Sequence, residues 1–61
     1  MRAREIIRLL EADGWREVRQ KGSHKQYKHA DKQGVITVPD HSGDMKHGTA
    51  HGILKKAGLK P

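Results

Sequence analysis

Two short apolar stripes at helical spacing, one near each end of the chain, flank a middle stretch patterned as strands. Each stripe needs a partner surface, and the middle stretch is the partner the sequence offers. In the first stripe Ala3, Ile6, Ile7 and Leu10 recur at i, i+3, i+4 and i+7, and Leu9 widens it. Arg4, Glu5, Arg8 and Glu11 take the wet side, so the pattern predicts a helix over 2–13. Gly14 stands where a left-handed terminator is usual. In the second stripe Ala50, Ile53, Leu54 and Ala57 predict a helix over 48–57, with Thr49 as its N-cap and Gly58 closing it. Lys55 and Lys56 suit its negative end. Gly52 inside it costs about 1 kcal/mol relative to alanine, so this helix depends on docking.

The middle stretch reads as three strands. "WREVRQK", 15–21, has bulky residues at 15 and 18 with charges between, an imperfect alternation. Lys21-Gly22-Ser23 is a turn signal. "HKQYKHA", 24–30, sends His24, Gln26 and Lys28 one way and Lys25, Tyr27 and His29 the other. "DKQG", 31–34, is a second turn, and "VITVP", 35–39, is a strand that Pro39 ends or marks as an edge. Residues 40–48 show no periodicity and read as a loop. The short connections imply an antiparallel meander. The expected fold is α+β, in the order α-β-β-β-α, with both helices on one face of a three-stranded antiparallel sheet and the other face wet. Trp15 and Tyr27 are expected in the core, as the largest apolar side chains available to it, although Tyr27 could instead stack a base on its π-face.

With 61 residues the chain reads as one domain, 1–61, which buries only roughly 60% of its unfolded surface. Cysteine is absent, so no disulfide or thiolate metal site reinforces it, and a reducing, cytoplasmic setting is expected. No apolar run approaches the ~20 residues of a membrane span, and no signal peptide is visible. Thirteen Lys and Arg against seven Asp and Glu leave a formal charge of +6. That balance in a small domain points to a polyanion, above all nucleic acid, although a charged surface also simply favours solubility.

The chemistry concentrates in "KGSHKQYKH", 21–29. His24 follows a Gly-Ser turn, opens a strand and is flanked in sequence by Lys21 and Lys25. Imidazole titrates near neutrality, so His24 can deprotonate a ribose 2′-OH while nearby cations hold the charge that builds on phosphate. A surface histidine that merely binds phosphate or water is the plainer reading of these residues alone. Arg16, Arg19, Lys21, Lys25 and Lys28 form the basic cluster, which can grip phosphates or protect an edge strand from aggregation. His29, His41, His47 and His51 do not assemble a recognisable metal motif; His47 and His51 share an i, i+4 spacing but no third ligand is evident. Gly48 and Thr49 could offer backbone N–H groups to a phosphate, but capping is the plainer role. No Ser-His-Asp arrangement and no Gly-rich nucleotide loop is present.

Four segments, "LLEADGW" at 9–15, "KGSHKQYKH" at 21–29, "ITVPDH" at 36–41 and "GTAHGILKKAGL" at 48–59, together resemble the HicA family of toxins from bacterial toxin–antitoxin pairs. The resemblance spans nearly the whole chain in order. It implies a double-stranded-RNA-binding-domain-like fold and a metal-independent, cofactor-free endoribonuclease that cuts mRNA and arrests translation and growth. It implies His24, of the Gly-Ser-His motif, as the catalytic residue. Lys21, Gly22, Ser23, Lys25 and Lys28 around it are then the expected phosphate-binding residues. It also implies a HicB-like antitoxin that covers His24, with operator DNA bound only through the toxin–antitoxin complex. Alternatives from other classes are a non-catalytic RNA-binding module and a structural partner that docks an acidic protein on its basic face.

Overall fold

The computed structural model describes residues 1–40 and 43–59. The first helix, α1 (Ala3–Asp13), starts after Arg2, whose backbone N–H donates to the Glu5 carboxylate at 2.7 Å. That places an acid at the positive end of the helix. Ala3, Ile6 and Leu10 are buried and Ile7 is half-buried. Leu9 does not widen the stripe; it is 44% exposed. It sits about 100° round the helix from Leu10, beyond the strip that one sheet can cover. Gly14 ends α1 with φ 105°, and its N–H reaches the Leu10 and Glu11 carbonyls. A Cβ at Gly14 would lie 2.9 Å from His29 Nε2, so the position needs glycine for conformation and for space.

Three antiparallel strands follow in the order β1-β2-β3: β1 (Trp15–Lys21), β2 (His24–His29) and β3 (Ile36–Pro39). Between Glu17 and Arg19 the β1–β2 register shifts by a bulge. This explains the imperfect alternation of β1: Val18 is the extra residue, and it is 55% exposed. Pro39 closes β3, an edge strand, where its missing N–H is tolerated.

The second helix, α2 (His47–Lys56), is capped by Lys46 and not by Thr49, which is its third residue. The Ala50 N–H already bonds the Lys46 carbonyl at 3.0 Å, so the helical ladder begins earlier than the apolar spacing suggests. At the other end Gly58 takes φ 78°. Its N–H bonds the Lys55 carbonyl at 3.1 Å and the Leu59 N–H bonds that of Leu54 at 2.8 Å, a Schellman closure.

Both helices lie on one face of the sheet, as expected of a double-stranded-RNA-binding-domain-like α-β-β-β-α architecture. One core joins Ala3, Ile6 and Leu10 of α1, Trp15, Tyr27, Ile36 and Val38 of the sheet, and Ala50 of α2 with Ala57 beyond it. Each of the large aliphatic members contributes roughly 1.5–3 kcal/mol by leaving water. The body measures 31 × 28 × 16 Å, the thickness of one helix layer on one sheet. Lys32, in the β2–β3 connection, ties the layer together: its Nζ lies 2.7 Å from Asp13 Oδ2 and 2.9 Å from the Ala57 carbonyl. It thereby bridges the C-terminal ends of both helices. No helix among the described residues is long and apolar enough to cross a membrane.

Candidate active site on the open sheet face

Burial of Trp15, Tyr27, Ile36 and Val38 identifies the helix-covered face, and register places everything else. His24 pairs with Lys21 on one side and Pro39 on the other, so the three form one rung across the uncovered face. The next rung on that face is Arg19–Gln26–Thr37, and the one beyond is Arg16–Lys28. Same-face rungs along β2 are about 6.7 Å apart. His24, Lys21, Arg19, Arg16 and Lys28 are all exposed.

The bulge is what assembles this set. Arg16 and Arg19 are an odd number of positions apart and would lie on opposite faces of a regular strand. The extra residue at Val18 turns both toward Gln26 and Lys28. The sequence carries the signal, in the broken alternation of β1, but its meaning depends on the partner strand. Gln26 and Thr37 also join this face; neither stands out in sequence because neither carries charge.

The remaining expected site residues divide. Gly22 makes the β1–β2 turn at φ 60°, and its carbonyl accepts a hydrogen bond from Gln20 Nε2 at 3.0 Å. Ser23 is half-buried, and its carbonyl accepts the Asp40 N–H at 2.6 Å, extending the β2–β3 ladder past Pro39. Lys25 is not brought to His24's face. It lies on the opposite alternation, with Nζ 3.1 Å from Asp40 Oδ2, and that carboxylate raises the Lys25 pKa above its ordinary value.

His29 is built into the structure. Its Nδ1 accepts the Asp31 N–H at 2.9 Å, so the proton must be on Nε2, which donates to the Asp13 carbonyl at 2.6 Å. Its ring stands edge-on to Trp15, with centroids 5.3 Å apart. His47 and His51 neighbour each other on exposed positions of α2, ring centroids 5.9 Å apart. Among the described residues no three His, Asp or Glu side chains gather to hold a metal; His41 lies outside them. A groove of about 250 Å³ between Ala3, Pro39, Met45, Lys46 and Thr49 opens near Gly48–Thr49. It shares Pro39 with the His24 rung, but His24 does not line it. The arrangement around His24 is thus an open, cationic surface where a chain-like substrate can lie, rather than a closed cavity.

Comparison with known proteins agrees with this architecture. No curated protein matches the chain. A solved structure, a toxin–antitoxin complex from Streptococcus pneumoniae, contains a chain similar to this one, with TM-score 0.82 and 37% identity over 97% of this chain and 98% of that one. A family model described as the HicA toxin of bacterial toxin–antitoxin systems matches residues 3–59. The chain therefore belongs to the HicA toxin family.

Proposed function

We propose that this chain is the toxin of a toxin–antitoxin pair and that it cleaves mRNA by metal-independent general acid/base catalysis at His24. The observation that carries the reading is the exposed imidazole at the end of a face lined by Lys21, Arg19, Arg16 and Lys28. His24 takes the proton from a ribose 2′-OH. The 2′-oxygen attacks the adjacent phosphorus and the P–O5′ bond breaks. The products are a 2′,3′-cyclic phosphate and a 5′-hydroxyl, whose proton comes back from the imidazolium. Lys21, with Arg19 next to it, holds the charge on the five-coordinate phosphorus, and Lys28 holds a more distant phosphate. Gly22 and Ser23 close the turn around the reacting linkage. Lys25 is assigned an indirect part: through Asp40 it fixes the strand ends on which His24 stands.

A HicB-like antitoxin is the proposed protein partner. Its fit would be an acidic or mixed-charge surface laid over the His24 face, which would speed encounter and block substrate. Operator DNA would be engaged only through that complex, and the setting would be the cytoplasm. Incubating the purified chain with a labelled transcript in EDTA tests the activity. Cleavage by the wild type and none by His24→Ala supports it. Retardation of the transcript without cleavage by either would leave a non-catalytic RNA-binding module.

A further inference from the structure

The face that carries His24 is one-sided in charge. Its strand residues, Lys21, His24, Arg19, Gln26, Thr37, Arg16 and Lys28, include no acid, whereas on α1 Arg4 and Arg8 alternate with Glu5 and Glu11. It also presents no Trp, Tyr or Phe. The chain has one Trp, one Tyr and no Phe, and both Trp15 and Tyr27 are buried at 1% exposure under the helices. Base stacking of the kind sheet-face RNA binders use is therefore unavailable from those residues. What the face does offer is a ladder of cations: Lys21 beside His24, Arg19 one rung on, and Arg16 with Lys28 two rungs on, about 13 Å from His24 along the strand.

We infer that a single RNA strand runs lengthwise over this helix-free sheet face, its successive phosphates on the three cationic rungs, and that the face grips backbone without reading bases. The path deepens the ribonuclease reading and rests on it for placing the scissile linkage at the His24 end. A duplex would need elements that reach across a groove. A sheet surface with rungs at this interval suits the repeat of one extended strand instead. On the helix side the cations of α1, Arg4 and Arg8, are offset by Glu5 and Glu11, and those of α2, Lys55 and Lys56, are confined to its last turn rather than spread along a face.

The test uses His24→Ala protein, a labelled unstructured oligoribonucleotide, and fluorescence anisotropy over a range of salt concentrations. Three phosphates, one on each rung, give a slope of log association constant against log salt of about −2.1. Adding Arg16→Gln with Lys28→Gln removes one rung and should bring it to about −1.4, and Arg8→Gln with Lys55→Gln, an equal charge change on the helix side, should leave it near −2.1. Oligomers of unlike sequence should bind alike, and a duplex of equal length more weakly. A helix-side pair that flattens the slope as much as the sheet pair, or a duplex that binds tighter, overturns the path. Because binding is read without cleavage, the two readings fail separately. Intact RNA with wild-type protein and the stated slopes removes the nuclease and keeps the path. Cleavage with slopes indifferent to Arg16 and Lys28 removes the path alone.

Discussion

His24 and His29 stand on the same strand, five positions apart, and on opposite faces of the sheet. His24 is exposed among cations; His29 has only a tenth of its side chain exposed and holds the Asp13 carbonyl and the Asp31 N–H. The same residue type in one motif therefore stands in two different settings, and substitution should separate them.

His24→Ala should keep the wild-type melting temperature and lose at least ~10²-fold in cleavage rate, the usual scale of one general acid/base. His29→Ala should do the reverse. It leaves two backbone groups without partners and a void beside Trp15, for a loss of about 1–3 kcal/mol. Thermal unfolding and single-turnover cleavage on both variants check the pair. A stable His29→Ala protein that has lost activity would contradict this division.

Glycines 14 and 22 both have positive φ, but only Gly14 is crowded. Alanine at Gly22 should cost about 1 kcal/mol, for left-handed backbone alone. Alanine at Gly14 should cost about 2 kcal/mol or more, because its Cβ also meets the His29 ring. In a domain this small each kcal/mol is worth about 4–8 °C of melting temperature, so the two variants are distinguishable by calorimetry.

The hydrogen bond from Lys32 holds the Asp13 carboxyl below its ordinary pKa. A depressed carboxyl pKa stabilises the fold above the unfolded value near 3.9 and loses that contribution as pH falls through the folded value. Urea unfolding followed from pH 6 downward should show stability falling below about pH 4. Lys32→Met should flatten that acid limb, and Lys25→Gln, which does not touch Asp13, should not. An acid limb unchanged by Lys32→Met would show that this clamp does not couple to folding.

At the alkaline end, burial raises the Tyr27 phenol above its ordinary value. A raised pKa here stabilises the fold fully below the unfolded value near 10 and loses the contribution as pH climbs through the folded one. Tyr27→Phe should unfold less readily above about pH 10 than the wild type, measured by circular dichroism across the titration. Lys25 titrates in the same direction through Asp40, so part of the alkaline loss should persist in Tyr27→Phe.

Periodicity along the chain was enough for the element order, the left-handed terminators at Gly14 and Gly58, and Trp15 and Tyr27 as core. These follow from local rules: 3.6- and 2-residue repeats, and backbone angles that only glycine adopts cheaply. The motif around His24 could likewise be read directly, because its turn, imidazole and lysines are contiguous. Which cations share a face with that imidazole could not. Lys25 is adjacent in sequence and points away, while Arg16 and Arg19 are drawn in by a bulge whose effect exists only against β2. Leu9 and Thr49 went elsewhere for the same kind of reason: the breadth of the sheet under α1 and the point where the α2 ladder begins are set by packing. Strand pairing is a relation between distant segments, so the site's composition was decided where those segments met.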